Sequence, residues 1–330
     1  MKALTHTRPK GFDGLVLTDR HPKPEPGPDE VRIRLKAAGL NHRDLFVLDR
    51  HSPDDPPFVI GSDGAGVIDD HGENVPDLNK GEEVIINPGL YWEKQSDAPP
   101  DSFEVLGFPN DGTFAEYVTV PAACTAPKPS HLSWEESAAL SLAGLTAYRA
   151  LFTRGGVKEN MNVFIPGIGG GVATTLLQFA RAAGARVFVS SRSPYKRKEA
   201  LELGAEMALD SSEDWNEALK GTKMDLVIES VGAATFNRSM DTLRKGGTIV
   251  SFGSSTGDEL QINLRKFFYG QYNLHGSTMG SHEEFRGMLA FTEKHGIKPV
   301  MDSTFPLEQF REAFEKLKRG EQLGKISFTI

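Results

Sequence analysis

The sequence predicts an α/β protein in which a β-rich domain is joined to a doubly wound parallel sheet. Three observations support this fold class. Short apolar segments with a two-residue period occupy the first third of the chain, apolar strands alternate with helical segments from Ser133 onward, and a glycine-rich loop follows the first of those strands. A length of 330 residues suits two such domains better than one compact core.

Composition limits the kinds of partner. Charged residues make up 25% of the chain, the mean hydropathy is -0.34, and no apolar run approaches the roughly 18 residues of a membrane span. We therefore expect a soluble protein without a membrane partner. The net charge of -8 offers no basic surface to nucleic acid, so any phosphate binding must be local. The single cysteine, Cys124, and the lack of an apolar signal core near the start predict a reducing, cytoplasmic setting.

The β-rich part begins with a strand in which apolar and basic residues alternate, at residues 30–37 after the turn at 26–29. Gly, Asp and Pro residues separate this strand from further apolar segments. Those segments are residues 58–68, 82–87 and 114–120. The pattern predicts a compact, mostly antiparallel barrel or sandwich.

The remainder of the chain predicts a parallel sheet covered by helices. Five strands are expected at 162–165, 186–189, 225–229, 248–252 and 273–276, with intervening helices at 171–183, 194–203 and 234–243. Two more amphipathic helices and a closing strand follow at 283–295, 307–319 and 325–330. We expect the closing strand to return to the first domain. The predicted domains are residues 1–125 with 281–330, and residues 126–280.

A glycine-rich loop at 166–173 connects the strand at 162–165 to the next helix. Glycine lets the backbone turn sharply and approach a pyrophosphate, whose charge then meets the N–H groups of the helix N-terminus. Gly167, Gly170 and Ala173 fill the three spaced small positions of a dinucleotide-binding fingerprint. The residues expected to bind the cofactor are Gly167, Gly169, Gly170, Gly171 and Val172. A plain strand-to-helix turn is the alternative.

The end of the next strand indicates which dinucleotide binds. An NAD-binding fold usually presents an Asp or Glu to the ribose about 20 residues after the loop, but the segment VFVSSR that ends at Arg192 contains no acid. Arg192 and Lys196 are placed to pair with a 2′-phosphate, and Ser190 or Ser191 could donate hydrogen bonds. The sequence therefore predicts NADP(H). Alternatively, the basic segment 195–198 is only the solvated start of a helix, the interpretation we prefer for its last two residues.

Several segments, in this order, resemble the medium-chain dehydrogenase/reductase superfamily, and in particular its zinc-lacking branch similar to quinone oxidoreductases. Besides the glycine-rich loop they are residues 37–44 (AAGLNHRD), 61–67 (GSDGAGV), 112–117 (GTFAEY), 229–232 (ESVG) and 246–250 (GGTIV). The resemblance covers nearly the whole chain. It implies a GroES-like catalytic domain built from both chain ends, an inserted Rossmann domain, and an active-site cleft between them.

The resemblance also bears on metal. Zinc-dependent members carry a cysteine, a histidine and a further Cys or carboxylate where this chain has Asn41, Ser62 and Leu142. An amide, a hydroxyl and an alkyl group do not replace the three good donors that catalytic zinc needs. The structural zinc of some relatives requires four cysteines, and this chain has one. We therefore expect no zinc, with residues 89–110 forming a metal-free loop.

Three hypotheses concern charged residues of these segments and of the closing strand. A rescued metal site using His42, Asp63 and Glu116 is an alternative. In the family, however, the residue after the lost cysteine lies near the cofactor pyrophosphate, so His42, or Arg43 beside it, is predicted to support the phosphates. Lys325 occupies a place that in this family often lies near the adenylate side of the cofactor.

Without zinc, no Lewis acid drives alkoxide formation. The resemblance then implies hydride delivery from NADPH to a quinone or an α,β-unsaturated carbonyl, whose oxyanion is stabilised by hydrogen bonds. Asn41 is the predicted donor to the substrate carbonyl or the cofactor ribose, and Asp44 is predicted to orient its neighbours. Alternatively, Asp44 caps the short helix that follows it. Related enoyl thioester reductases use a tyrosine after this motif, but residues 45–56 contain none. Water is therefore the expected proton source, with His51 as an alternative.

The substrate walls and the nicotinamide side are predicted from position. Tyr91, Trp92 and Tyr269, with Phe267, are candidates for apolar substrate contacts, although aromatic residues at such places are as often core. Residues after the last two strands of the parallel sheet border the ligand crevice, and Gly253, Ser254 and Thr278 are predicted to meet the nicotinamide there. Cys124 is interpreted as a packing residue.

Three functions remain open from the sequence. The first is a zinc-independent, NADPH-dependent reductase of quinones or conjugated carbonyl compounds. The second is an alcohol dehydrogenase of the zinc type with substituted ligands, and the third is an NADPH-binding protein without turnover. Family analogy suggests a homodimer joined through the parallel sheets, with a small carbonyl compound as the substrate.

Overall fold

A computed structural model of the chain describes residues 1–50, 52 and 56–330. Contacts between Cα atoms divide the chain into a β-rich unit, Met1–Leu145 with Gly280–Ile330, and an α/β unit, Thr146–Met279. The first boundary falls later than the predicted residue 125. The reason is that Ala138, beyond that residue, packs in a buried cluster with Ala37 and Ala65 of the β-rich unit.

The secondary structure follows the chain in three blocks. The first contains β1 (Ala3–His6), β2 (Leu15–Thr18), β3 (Glu30–Leu40), α1 (His42–Arg50), β4 (Phe58–Val59), β5 (Asp63–His71), β6 (Glu83–Ile86), β7 (Gly89–Leu90), β8 (Glu104–Val105), β9 (Tyr117–Pro121), β10 (Thr125–Pro127) and α2 (Trp134–Tyr148). The second contains β11 (Asn162–Ile165), α3 (Gly171–Ala182), β12 (Arg186–Ser191), α4 (Pro194–Glu202), β13 (Met207–Asp210), α5 (Trp215–Ala218), β14 (Met224–Glu229), α6 (Phe236–Thr242), β15 (Leu243–Ser251), α7 (Leu264–Gly270) and β16 (Asn273–Gly276). The third contains α8 (His282–Lys294), β17 (Met301–Pro306), α9 (Phe310–Arg319) and β18 (Lys325–Thr329).

Strand β3 organises the β-rich unit. Within the described residues it pairs antiparallel with β5, β9 and β18, in a sheet whose main path is β10-β6-β5-β3-β18-β17. The closing strand β18 thus lies beside β3, with Ile326 opposite Leu40. The predicted strand at 58–68 is divided into β4 and β5, because Gly61 between them has a φ of 101°, which breaks an extended strand.

The α/β unit is a parallel sheet with strand order β13-β12-β11-β14-β15-β16. The strand order reverses between β11 and β14, and such a switch point is where an open α/β sheet leaves a crevice at the carboxyl ends of its strands. The glycine-rich loop after β11 and the segment after β14 both lie at this point. The sequence prediction of a doubly wound sheet is confirmed.

Each unit has its own apolar core. The core beside α9 combines aliphatic side chains with phenylalanines, and the rings of Phe114 and Phe328 meet there edge to face with centroids 5.0 Å apart. In the α/β unit, Phe164 and Trp215 pack in the same way at 4.9 Å. Among the described residues, none of the helices has the length and apolar character needed to cross a bilayer.

Candidate active site

The glycine-rich loop lies at the carboxyl edge of the parallel sheet. Gly167 and Gly169 have φ angles of 74° and 155°, a region that favours glycine. Gly170 is the N-cap of α3 and has extended backbone. The first N–H groups of a helix have no partner within it, so those of Gly171 and Val172 are available to an anion. The predicted strand, turn and helix are all present.

Ser190 holds this loop from the neighbouring strand. Its carbonyl oxygen accepts the Ile168 N–H at 2.8 Å, and its hydroxyl oxygen faces the Gly167 N–H at 3.4 Å. The residue is 0% exposed. Ser190 therefore supports the turn, and its complete burial corrects the prediction that it meets a 2′-phosphate.

The two basic residues predicted to bind the 2′-phosphate, Arg192 and Lys196, lie in different places. Helix α4 begins after Ser193, whose hydroxyl accepts the Lys196 N–H at 3.4 Å. The Lys196 side chain extends back over the loop, where its Nζ lies 3.0 Å from the position of a Cβ built on Gly169. Arg192 follows β12 directly and is exposed. Lys196 is thus placed over the glycine-rich loop. Arg192 lies at the strand end beside Ser191, whose hydroxyl accepts the Ser193 N–H at 3.2 Å.

The last two basic residues of the segment 195–198 differ from each other. Lys198 pairs with Glu202 at 3.4 Å on the exposed face of α4, as the solvated-helix interpretation predicts. Arg197 is more enclosed and pairs with Asp210 of β13 at 2.8 Å, so this interpretation is wrong for Arg197.

A buried carboxylate supports the segment after β14. Glu229 is 0% exposed, and its Oε1 accepts the N–H groups of Val231 and Gly232 at 2.7 and 3.3 Å. The hydroxyls of Thr235 and Ser239 also donate to the carboxylate, at 3.0 and 2.7 Å. The helix predicted at 234–243 is therefore shorter in the structure, where α6 spans Phe236–Thr242. The residues before it bond to Glu229 instead of continuing the helix. The Val231 side chain in turn lies against Gly167, where a Cβ would approach it to 2.8 Å.

The residues predicted on the nicotinamide side follow β15 and β16 at the same sheet edge. The Ser277 N–H donates to Ser251 O at 2.8 Å, which joins the two strand ends. Ser254 and Thr278 are exposed, Gly253 is half-buried, and the Ser254 hydroxyl donates to Asp258. Their contact with the cofactor stays a prediction.

In the β-rich unit, Asn41, Asp63 and Lys325 form a buried polar cluster. The Asn41 amide donates to Asp63 Oδ2 at 2.9 Å and, more weakly, to Gly39 O at 3.4 Å. The Lys325 ammonium donates to Asn41 Oδ1 at 2.5 Å, to Asp63 Oδ2 at 3.2 Å and to Leu40 O at 2.9 Å. All three ammonium hydrogens thus have protein acceptors. A contact of Lys325 with the adenylate would require one of these bonds to be replaced.

Asp44 is the second carboxyl group beside Asn41. It is 1% exposed, and its Oδ2 accepts the Asn41 N–H at 2.8 Å, so it orients Asn41 and at the same time caps the start of α1. Within the described ranges, its Oδ1 has no hydrogen-bond partner. Burial raises the pKa of Asp44 to about 7, a rise that is partly opposed by the bond from Asn41 and by Arg43.

Changing Asp44 to Asn should remove a pH-dependent loss of stability. Because the folded-state pKa is about 7 and the ordinary value is 3.8, the folded protein holds this proton more tightly, and stability falls as the pH rises between these values. The loss at pH 8 is at most about 4 kcal/mol. Relative to wild type, Asp44→Asn should therefore gain a few kcal/mol between pH 5 and pH 8, measured by urea unfolding. The control is Asp49→Asn on the exposed face of α1; an equal pH response of both variants would contradict the assignment.

Ser62 and Arg43 form a second contact near Asn41. The Ser62 hydroxyl donates to Leu106 O at 2.8 Å and accepts from Arg43 Nη1 at 3.2 Å. The guanidinium also donates to the carbonyl oxygens of Val105, Leu106 and Phe108 at 3.1, 3.3 and 3.0 Å. Arg43 thus ties α1 to the 89–110 segment, which corrects its predicted role at the phosphates. The other candidate, His42, is exposed at the first position of α1.

The residues predicted to contact the substrate differ in their exposure to solvent. Trp92 is 1% exposed, donates to Ser96 Oγ at 2.9 Å and packs against Phe103, so it is a core residue and its prediction as a substrate contact is wrong. Tyr91 and Tyr269 are 48% and 66% exposed. His51, the alternative proton donor, lies outside the described residues.

Cys124 is fully buried, and burial raises the pKa of its thiol to about 12. Its Sγ lies 3.5 Å from His282 Nε2. Its interpretation as a packing residue is confirmed.

Comparison with known proteins identifies the family. The model of the alcohol dehydrogenase GroES-like domain matches residues 27–130, and the model described as zinc-binding dehydrogenase matches residues 171–294. A zinc-type alcohol dehydrogenase-like protein of Schizosaccharomyces pombe is 36% identical, with 100% of this chain and 99% of that protein covered. The chain belongs to the medium-chain dehydrogenase/reductase superfamily. The predicted GroES-like and Rossmann-like folds are confirmed.

Two solved structures show how widely this superfamily varies. A structure described as an NAD-dependent alcohol dehydrogenase is 36% identical, with a TM-score of 0.93 and 100% of both chains covered. A 2-octenoyl-CoA carboxylase reductase, solved with NADP and 2-octenoyl-CoA, is 26% identical, with a TM-score of 0.88, 99% of this chain and 87% of that chain covered. Membership therefore establishes an oxidoreductase, while the cofactor and the substrate depend on the residues of this chain.

The zinc that the family match implies does not fit the side chains present. Asn41 Oδ1 already accepts from the Lys325 ammonium, and Ser62 Oγ accepts from the Arg43 guanidinium. Leu142, at the third position, offers only its N–H, which donates to Asp63 Oδ1 at 2.8 Å. A tetrahedral zinc site needs lone pairs of N, S or O ligands, and two fixed cations occupy the oxygens here. His42, Asp63 and Glu116 do not form the alternative site either, because no described group of three such residues could hold a metal.

Sequence reasoning missed four roles. It treated Lys325 as a cofactor contact, considered Asp63 only in the alternative metal site, considered Arg43 only as an alternative to His42 at the cofactor phosphates, and gave Glu229 no role. Glu229 had a recognisable signal, since an acid at the end of a buried strand is followed by Thr235 and Ser239 at helical spacing. The other three roles depend on partners distant in the sequence.

Proposed function

We propose that this oxidoreductase transfers a hydride from NADPH to a quinone or an α,β-unsaturated carbonyl compound without zinc. The observation that carries the proposal is the occupation of the ligand positions 41 and 62 by the bonds of Lys325 and Arg43. Without a Lewis acid, alkoxide formation from an alcohol has no driver, whereas a conjugated carbonyl accepts a hydride as it stands. The similarity to an octenoyl-CoA carboxylase reductase supports a conjugated substrate.

The α/β unit fits a dinucleotide phosphate. Gly167 and Gly169 leave room for a pyrophosphate at the start of α3, and Lys196 places a positive charge over the same loop. Arg192 follows β12, where NAD-specific folds carry an acid. The loop and Lys196 fit either dinucleotide, and Arg192 supports NADP over NAD. When bound, NADPH supplies the hydride.

Asn41 is our proposed donor to the developing oxyanion. Its bond to Gly39 O is long, at 3.4 Å, so this hydrogen is the one that a substrate oxygen could receive. Because the Lys325 ammonium bonds to the amide oxygen, it polarises the amide and strengthens the N–H donor. Reduction of an enone adds the hydride to the β-carbon, moves the double-bond electrons toward the carbonyl oxygen, and ends with a proton from water at the α-carbon.

The activity is tested with NADPH and a panel of quinones, enones and enals, and with NADP+ or NAD+ and primary alcohols, in each case before and after chelator treatment. We expect turnover of conjugated carbonyl compounds that the chelator does not change, and less than about 0.1 zinc per chain in the purified protein, because Lys325 and Arg43 occupy the oxygens at positions 41 and 62. Alcohol oxidation that is lost with chelator and restored by zinc would support the zinc-type dehydrogenase instead. Tight NADPH binding without turnover of any compound would support the non-enzymatic alternative.

If NADPH is the cofactor, replacing Arg192 and replacing Lys196 should have different effects on cofactor binding. Arg192→Ala should weaken NADPH binding about 10- to 100-fold and leave NADH binding unchanged, because its charge meets only the 2′-phosphate. Lys196→Met should weaken both cofactors by similar factors, because its charge lies over the pyrophosphate loop. Dissociation constants by calorimetry measure both effects, with Lys198→Met on the exposed face of α4 as the control. Equal affinity of the wild-type protein for NADPH and NADH would contradict the assignment of Arg192 to the 2′-phosphate.

We further propose a cytoplasmic homodimer joined through the parallel sheets. Strand β16 lies at the end of the described sheet order, and Leu264, Phe268 and Tyr269 near it are 71%, 54% and 66% exposed. Pairing of this edge with a second copy would extend the sheet and cover these side chains.

A further inference from the structure

Arg197 makes two bonds at the carboxyl ends of β12 and β13. Its Nη1 donates to the carbonyl oxygen of Ser191 and to Asp210 Oδ2, both at 2.8 Å. The side chains of Arg197 and Asp210 are 21% and 25% exposed, so the pair is partly shielded from water. Arg197 therefore turns back from α4 toward the end of the sheet.

Asp210 lies beside the place assigned to the 2′-phosphate. Ser191 and Asp210 are partners in the parallel register of β12 and β13, and the Ser211 N–H donates to Ser191 O at 3.2 Å. Neighbouring strands are about 4.8 Å apart. The carboxyl group is thus one strand away from the end of β12, where Arg192 begins the next segment.

Asp210 is held as a carboxylate. Its Oδ1 accepts from the Ser212 N–H and hydroxyl at 2.9 and 2.7 Å. These bonds from Ser212, followed by the charge and hydrogen bond of Arg197, lower the pKa of Asp210 below its ordinary value. A carboxylate near the adenosine ribose favours a 2′-hydroxyl and repels a 2′-phosphate of nearly two negative charges.

We propose that Arg197 is a specificity-determining residue, which neutralises Asp210 and thereby lets the ribose end of the site accept a 2′-phosphate. This inference rests on the NADPH preference proposed above. Arg197 itself need not contact the cofactor, since it acts by cancelling the charge of Asp210. The preference for NADPH then depends on two residues of opposite effect, Arg192 as an attractive charge and Asp210 as a masked repulsive one.

The test compares wild type with Arg197→Gln, Asp210→Asn and the double variant, using dissociation constants of NADPH and NADH. Glutamine keeps the first three carbons of the side chain and a polar end but removes the charge. Arg197→Gln should weaken NADPH binding about 10-fold with NADH changed less than about 2-fold, a size typical of two partly screened charges. The double variant should return NADPH binding to within about 2-fold of wild type. The loss should shrink in 0.5 M salt.

The matched control is Arg186→Gln. Arg186 pairs with Glu206 at 3.0 Å across the opposite ends of the same two strands, so its loss should change neither cofactor. Equal weakening of both cofactors by Arg197→Gln, without rescue by Asp210→Asn, would show a merely structural role and overturn the inference. Retained preference in Arg197→Gln would overturn it as well. A wild type that binds both cofactors equally would instead refute the proposed NADPH preference, on which this inference depends.

Discussion

Replacing Lys325 with methionine is expected to lower the free energy of unfolding of the β-rich unit by about 3–5 kcal/mol, the range for breaking a buried ion pair. Lys325 and Asp63 have side chains only 4% and 0% exposed, and their charged atoms lie 3.2 Å apart. Methionine matches the length of the stem but leaves the Asp63 carboxylate buried with only the neutral donors of Asn41 and Leu142. Urea unfolding followed by circular dichroism measures the loss.

The double variant Lys325→Met/Asp63→Asn separates the ion pair from packing. With both charges removed, at least half of the lost stability should return, because the main cost of the single variant is an unpaired buried charge. Lys80→Met is the surface control, since Lys80 is 62% exposed and its pair with Asp70 should contribute less than about 1 kcal/mol. If Lys325→Met were no more destabilising than Lys80→Met, the buried cluster would not hold this unit together.

Replacing Glu229 with alanine should destabilise the α/β unit by about 3 kcal/mol, because several donors lose a charged acceptor in a buried place. The N–H groups of Val231 and Gly232 and the hydroxyls of Thr235 and Ser239 all depend on this carboxylate. The released segment contacts the glycine-rich loop through Val231. NADPH and NADH binding should therefore weaken by similar factors. Urea unfolding and calorimetry measure the two effects.

Glu229→Gln is the matched control. Its amide oxygen can still accept the two backbone N–H groups, and the hydroxyls of Thr235 and Ser239 can rotate to accept from its nitrogen. We expect this variant to keep most of the stability and the cofactor affinity. Wild-type behaviour of Glu229→Ala would contradict the positioning role, and a selective loss of NADPH alone would place Glu229 at the 2′-phosphate.

Local features of the fold could be predicted from the sequence. The strand at 162–165 has the predicted bounds, and the helix after the glycine-rich loop starts at the predicted residue, Gly171. Both follow from neighbours along the chain, since burial periodicity defines the elements and glycine defines the turn between them. The position of Arg192 at the end of β12 follows in the same way. The predicted ends of helices and strands are less accurate where a buried side chain bonds to the backbone, as Glu229 does with the N–H groups before α6.

The sequence by itself determined the order of elements, the glycine-rich turn between β11 and α3, and the replacement of the usual zinc ligands by Asn41 and Ser62. Only the tertiary structure decided the partner of each charged side chain. Lys325 meets Asp63 across 262 positions, and Arg43 reaches carbonyl oxygens more than 60 residues away. The physical reason is that hydrophobic periodicity and turn chemistry act between near neighbours, whereas an ion pair or a buried hydrogen bond depends on which distant strands the fold brings together.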